Sequence, residues 1–274
     1  MELLHRGKVR DLYAVDADLL LILATDRLSA YDVIFPDPIP GKGVILTALT
    51  KWWLQRMGDV APSHWIPDDV ALRAACALPE WPDWMERTMI VQRCEVIPFE
   101  CVVRGYAYGS YLNDYPEVAP MTPLDPPVFT PTTKAATGHD EAVTFDQMEA
   151  VLGETAHTLR TLSIDLFRWA STACLRAGIV LVDTKFEFGW SNDGQLRLID
   201  ECITPDSSRF MLQKDVRAGR FESFDKQVVR DYVDRLGWDR SAPAPKLPPA
   251  IIDQTRARYE WIYQQLKETP KEST

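Results

Sequence analysis

The segment IVLVDTKFEFGW, residues 179–190, limits what this chain can fold into more than any other stretch. It starts as an apolar run fit for a buried strand and then places Asp183, Lys185 and Glu187 at alternate positions. Strand side chains alternate between faces, so the three charges share one face while Phe186 and Phe188 take the other. A sheet with one apolar and one charged face is required. Asp193-Gly194 follows as a two-residue hairpin signal. With that turn Asn192 pairs with Gln195, and five residues further back Glu187 faces Asp200. Like charges placed opposite each other are destabilising, so the pair needs a shifted pKa or a cation. Oxygen ligands with no His or Cys nearby suit Mg²⁺, which takes one or two protein carboxylates and fills its shell with water and phosphate. The alternative is a solvated edge hairpin with its register off by one.

A metal held by two carboxylates implies a nucleotide, and phosphates need cations. With 30 Lys plus Arg against 40 Asp plus Glu, the net charge is −10, so those cations must be local. The same balance argues against holding nucleic acid or an anionic membrane by bulk charge. The apolar stretch at 19–24 is far short of the roughly 20 residues of a membrane span, and no signal peptide is expected. Five scattered cysteines without a CxxC pair read as reduced core thiols in a cytoplasmic protein. His5, His64 and His157 have no clustered partners and read as surface or satisfied structural residues.

The fold class is α+β in two lobes, divided near Pro98: a β-rich lobe over residues 1–97 and a larger lobe over 98–274. GKVRDLYAV and LLLILAT form strands around an Asp16-Ala17-Asp18 turn, and MIVQRCEVI and FECVVRGYAY follow as strands. Residues 47–57 form a helix. Thr144 and Gln147 make a capping box, and apolar residues recur at helical spacing up to Gly178, giving one long helix or two broken near Gly153. Strands at 179–190 and 196–203, a helix at 223–236 and a last helix opened by Pro248-Pro249 complete the pattern. The proline-rich stretches at 116–131 and 243–249 read as extended connectors.

No standard phosphate loop is present. Gly41-Lys42-Gly43 lacks the P-loop's earlier glycine and following Ser or Thr, and no GxGxxG follows a strand. Arg6-Gly7-Lys8 opens the first hairpin as a glycine turn suited to phosphates. Arg104 with Gly109-Ser110, and Ser207-Ser208-Arg209, offer guanidinium, hydroxyl and amide donors for a phosphate monoester. Ser223 reads as a helix cap with Lys226 at the third helical position, where a bound anion would relieve the lysine's conflict with the helix dipole.

Taken in order, GKVRDLY, ATDRLSAYDVIFPDPIPGKG, ECVVRGYAYGS, FTPTTKA with GHDE, VDTKFEFG, LIDECITPDSSRF and SFDKQ resemble the phosphoribosylaminoimidazole-succinocarboxamide (SAICAR) synthetase family. The blocks span residues 7–227. The resemblance implies a two-lobed fold with the nucleotide in the cleft. It implies a ligase of purine biosynthesis that joins 5-aminoimidazole-4-carboxylate ribonucleotide (CAIR) to L-aspartate with MgATP, releasing ADP and phosphate. It places Lys8 over the nucleotide phosphates, adenine on the backbone between Gln92 and Glu100 with Gln92 and Glu95 as contacts, and the metal on Glu187 and Asp200. Arg104, Ser110 and Arg209 hold the CAIR phosphate, Asp183 the ribose, and Lys185 is a polar partner beside it. The loop carrying Lys134, His139 and Asp140 resembles the family's mobile segment near the reacting carboxylate and the incoming aspartate. The resemblance implies that Lys8, Lys134, Asp140 and Lys226 carry the catalytic charges. Tyr111, Met211, Ala142 and Val143 depart from the family pattern, and Tyr111 leaves the shape of the phosphate loop open. Rival readings are a kinase or another carboxylate–amine ligase, and a nucleotide-binding regulatory module without turnover. The oligomeric state stays open.

Overall fold

Strands β2 (Arg10–Ala14) and β3 (Leu19–Ala24) form the first expected hairpin. Asp16 makes its turn, Oδ1 accepting the amides of Asp18 and Leu19 at 2.8 Å each. In this computed structural model, which describes residues 1–58, 60–67, 70, 73, 76, 83–134 and 141–269, β1 (Glu2–Arg6) and β6 (Thr88–Gln92) flank the hairpin. The four strands make an antiparallel sheet in the order β1-β2-β3-β6. A small hairpin, β4 (Ser29–Ala30) and β5 (Val33–Ile34), follows β3.

The second sheet rests on two 13-residue strands, β7 (Cys94–Tyr106) and β10 (Ile179–Ser191). Its order is β11-β10-β7-β8, with β12 also pairing β10 and β9 also pairing β7. These are β8 (Pro123–Phe129), β9 (Thr132–Thr133), β11 (Leu196–Ile199) and β12 (Ser208–Leu212). Two expectations change. The single strand expected over 196–203 stops at Ile199, and the chain bends and returns as β12. Part of the proline-rich connector is the edge strand β8; prolines are tolerated there because amides on an open edge need no ladder partner.

Helix α1 (Lys42–Arg56) starts before the expected residue 47. Gly41 turns the chain at φ 80°, and the Asp26 carboxylate accepts the amides of Gly41 and Gly43 at 3.1 and 3.0 Å, a cap supplied from outside the helix. A short α2 (Tyr111–Asp114) precedes β8. Then α3 (Phe145–Leu152) and α4 (Glu154–Arg176) run in series, broken at Gly153, and the Thr144–Gln147 capping box closes in both directions. After α5 (Gln213–Arg217), α6 (Gln227–Arg235) is shorter than expected. Ser223 is not its cap, because it bridges to Met211 of β12 and the chain bends only after it, with the Phe224 amide donating to the Phe210 carbonyl at 2.7 Å. Asp225 instead takes the Gln227 amide at 2.9 Å, so Lys226 stands at the N-cap, not at the third helical position. The last helix is α7 (Pro249–Lys267).

Helix α4 covers the apolar face of the second sheet, packing Leu166, Phe167 and Ala170 into one core with Phe186, Phe188 and Val103. Each buried phenylalanine contributes about 2–3 kcal/mol of transfer free energy. Gly105 lets α4 approach, since a Cβ there would lie 2.6 Å from the Phe167 ring. Leu49, Trp53 and Met57 of α1 join the same core. Leu28, Phe35 and Ile39 pack with Val229, Val233 and Leu247. Packing therefore crosses the expected division at residue 97, although the first sheet keeps a core of its own around Tyr13, Leu21, Leu23 and Ile90. Residues 62–66 tie the sheets together: His64 donates its amide to Leu198 and accepts that of Gln92, at 3.0 and 2.7 Å. Among the described residues no helix is long and apolar enough to cross a membrane.

Candidate active site

With α4 on one face of β10, the charged face opens into a cleft of about 580 Å³. The alternation read from the sequence holds. Lys185 and Glu187 line the cleft and Asp183 pairs with Arg209 next to it, while Phe186 and Phe188 are buried behind them. The Lys185 ammonium donates to Glu187 Oε1 and to Glu100 Oε1, both at 2.6 Å, and Lys134 also pairs with Glu187. Burial disfavours the Lys185 charge, but Glu187 and Glu100 more than offset it and raise its pKa. Burial likewise opposes the Glu187 charge, yet Lys185 and Lys134 hold its carboxyl below the ordinary value against the nearby charge of Asp200.

The register of the β10–β11 hairpin differs from expectation. Glu187 pairs with Ile199, not Asp200, because the loop has three residues rather than two: the Ser191 amide meets the Gln195 carbonyl at 3.0 Å and Gly194 takes φ 77°. Asp193 favours this longer loop by accepting the Gln195 amide at 3.1 Å and Arg197 at 2.7 Å. A strand continued one residue past Ile199 would point Asp200 to the core face. Instead Asp200 adopts φ 63°, which breaks the alternation, and its carboxylate lines the cleft with Glu187. The carboxylate directly opposite Glu187 is Glu100, on β7. The expected pairing of acids exists, then, but its members are Glu187 and Glu100, with Asp200 entering from a bend.

Arg10 on β2 crosses to this bend and pairs with both Asp200 and Glu201. Burial opposes the Asp200 charge, yet Arg10 holds its carboxyl well below the usual range, whereas burial dominates at Glu201 and raises it. The buried His64 ring adjoins Asp200, and burial pushes it down to about 4, so it is neutral at pH 7. It is therefore a buried residue and not a surface one, hydrogen-bonded to the Asp200 backbone but with its Nε2 left without a partner.

Two residues along β10 from Lys185, Asp183 stands between Arg104 on β7 and Arg209 on β12. Its Oδ2 accepts from the two guanidiniums at 3.4 and 2.7 Å. Arg104 also donates to Ser110 Oγ at 3.1 Å and Thr130 Oγ1 at 3.0 Å. Gly109 is required here: it has φ 61°, and a Cβ would lie 2.3 Å from Arg209 Nη1. Two guanidiniums and a hydroxyl thus converge with one carboxylate between them, leaving donors for a dianion. Tyr111 opens α2 in helical conformation and stacks on Tyr115 at 4.6 Å, so nothing there demands glycine. Of Ser207-Ser208-Arg209, only the arginine faces this cluster; Ser208 Oγ is 2.7 Å from Thr184 Oγ1 within the sheet.

Lys8 lies in the β1–β2 turn at the cleft mouth, paired with Asp32, and Lys226 reaches the cleft wall 3.3 Å from Asp206. Gln92 and Glu95 do not join these residues. Gln92 lines a separate depression of about 390 Å³ with Asp18 and Asn192, and Glu95 is exposed on β7 opposite Trp190. The expected connection from Gln92 to Glu100 is strand from Cys94 onward. His139 and Asp140 lie outside the described residues. Arg10, Glu100, Glu201 and Asp206 line the cleft and were not read from the sequence; a strict alternation of Val102, Arg104 and Glu100 on β7 was the available signal for Glu100.

The SAICAR synthetase family profile matches residues 3–245. The chain is 42% identical to the phosphoribosylaminoimidazole-succinocarboxamide synthase of Salinispora arenicola, over 97% of this chain and 98% of that one. It is 45% identical to that of Syntrophobacter fumaroxidans, over 94% and 90%. The solved SAICAR synthase of Saccharomyces cerevisiae, complexed with SAICAR, superposes with a TM-score of 0.85 at 32% identity, covering 100% of this chain and 97% of that chain. By profile, sequence and fold, the chain belongs to the SAICAR synthetase family.

Proposed function

We propose that this chain is an ATP-dependent ligase that joins CAIR to L-aspartate, giving SAICAR, ADP and phosphate. The observation that carries the reading is that an acidic group lining the cleft, Glu187 and Asp200, and a dianion-binding group beside it, Arg104, Ser110 and Arg209 around Asp183, are joined by one face of β10, Glu187 and Asp183 being four residues apart. The spacing of Asp183 and Glu187 along β10, about 13 Å, suits a nucleotide monophosphate held with its reacting end toward the metal carboxylates. Lys8, Lys134 and Lys226 bring positive charge to the other walls.

The donor set fits Mg²⁺ bound together with a nucleotide. Glu187 and Asp200 are hard oxygen donors, both kept ionised, and among the described residues no group of three or more acidic, His or Cys side chains forms an all-protein cage. When bound, the ion neutralises and orients phosphate oxygens. A carboxylate needs activation before an amine can displace its oxygen. In this reading a CAIR carboxylate oxygen bonds to the γ-phosphorus as the bond to ADP breaks, giving an acyl phosphate. The aspartate amine then bonds to the carbonyl carbon, phosphate leaves, and the amine proton passes to a base, with Asp140 or His139 as candidates. Lys185 keeps Glu187 and Glu100 in place, and Lys134, paired with Glu187, would be within the cleft to meet a phosphate oxygen if Glu187 held a metal ion. Positioning and electrostatics supply the catalysis, with no covalent nucleophile. Gln92 and Glu95 contribute to adenine, in this reading, through the β6–β7 backbone. Four buried, unpaired thiols support a reducing, cytoplasmic setting.

The test is to incubate the protein with MgATP, CAIR and aspartate, omit each in turn, and count ADP against SAICAR. One ADP per SAICAR, with all three required, is expected. ADP formed without aspartate or CAIR points to a kinase or another ligase, and no turnover points to a regulatory module.

A further inference from the structure

Asp206 forms a buried junction behind the cleft wall. Its Oδ2 accepts from the Lys42 ammonium at 2.7 Å and lies 3.3 Å from that of Lys226, while its Oδ1 accepts from the Tyr259 hydroxyl at 2.7 Å. Lys42 and Tyr259 are fully buried, and Asp206 and Lys226 nearly so. Three elements far apart in the chain meet here: the start of α1, the N-cap of α6 and the middle of α7. Only Asp206 and Lys226 of the four line the cleft.

The distances are unequal, and the inequality has a consequence. Lys42 and Tyr259 each take one oxygen of Asp206 at full hydrogen-bond distance, whereas Lys226 shares an oxygen at the longer contact. Two ammonium groups face the Asp206 carboxylate, with Glu201 and Arg230 also close to Lys226, and the lysine with the longer contact and the cleft-facing position is Lys226. A nearly buried ammonium held only by a long contact is costly unless a further anion completes it. We propose that Tyr259 and Lys42 are positioning residues: by holding both oxygens of Asp206 they keep Lys226 from a tight ion pair and present its charge to an anionic oxygen, phosphate or carboxylate, of the bound substrates. Burial keeps the Tyr259 phenol protonated, as a donor must be, and lowers the Lys226 pKa despite Asp206. The last long helix would thereby belong to the active site, though it contributes nothing to the cleft lining.

This inference rests on the ligase reading, and the test separates the two. Tyr259→Phe removes one oxygen atom from the core and keeps the ring. Steady-state constants for ATP, CAIR and aspartate are measured in wild type, Tyr259→Phe, Lys226→Met and the double variant, with calorimetric affinities for ATP and CAIR run on the same four proteins. Tyr259→Phe is expected to lower kcat/KM, or the affinity, for at least one of these anions about tenfold, and to have less than a twofold effect once Lys226 is Met. An equal loss in both backgrounds, or wild-type constants in Tyr259→Phe, overturns the proposal. Lys42→Met repeats the cycle from the other oxygen and decides the matter if Tyr259→Phe does not fold. A wild type with no SAICAR formation refutes the ligase reading instead.

Discussion

Glu187→Gln separates the metal-site reading from a structural one because its two costs can be worked out separately. Glu187 is buried and receives Lys185 at 2.6 Å and Lys134 as a second ion pair. Making it neutral weakens a charge-assisted hydrogen bond worth about 1.5–3 kcal/mol. The Lys134 contribution is smaller because that lysine is well solvated. Lys185 keeps Glu100 at 2.6 Å, and repulsion from Glu100 and Asp200 is relieved. The net loss is about 1–2 kcal/mol, or a melting-temperature fall of about 2–8 °C for a chain of this size. If the carboxylate holds Mg²⁺, the kinetic cost is far larger. Removing one preorganised electrostatic group lowers kcat by about 100- to 1000-fold, and the Mg²⁺ concentration for half-maximal rate at fixed ATP should rise at least about tenfold. The assay is ADP release coupled to SAICAR formation over a Mg²⁺ titration, beside thermal unfolding. Turnover within twofold of wild type with an unchanged Mg²⁺ midpoint would refute the metal role of Glu187, and with it the ordering of the cleft.

Arg104→Ala should raise KM for CAIR far more than for ATP, because Arg104 joins Ser110 and Asp183 and not the Glu187 group; equal losses contradict that partition. Gly109→Ala forces a Cβ to within 2.3 Å of Arg209 Nη1 at a positive φ, so it should weaken CAIR about tenfold while leaving KM for ATP near wild type. An unchanged CAIR constant would show that Arg209 is free to move aside. Lys226, Lys42 and Tyr259 depress the Asp206 carboxyl against burial, so its ionised form stabilises the fold above the ordinary carboxylate pKa and that contribution is lost as the pH falls through and below it. The melting-temperature gap between wild type and Asp206→Asn should accordingly shrink from pH 6 to pH 3, and a gap constant over that range would contradict the assignment.

What could be read directly from the residues was whatever depends on near neighbours. The alternation in VDTKFEFG placed Asp183, Lys185 and Glu187 on one face because the pleat has a period of two whatever it pairs with. Thr144 and Gln147 cap α3 because both partners lie within one turn. Arg104 and Ser110 meet because a short loop joins them. The matching blocks named the remaining candidate residues, but not their geometry.

The sequence by itself thus determined the charged face of β10, the broken helix pair behind it and the arginine-serine loop. Tertiary structure decided which carboxylates share the cleft, since the three-residue loop moved the register by one and only the left-handed bend at Asp200 returned its side chain to the site. It also decided the partners: Arg10 reaches Asp200 across 190 positions, Lys42 reaches Asp206 across 164, and Asp26 caps a helix it does not belong to. Pleat and cap are set by bond geometry over a few residues, whereas an ion pair is set by where separate elements come to rest when their apolar faces pack, and a local pattern does not encode that distance.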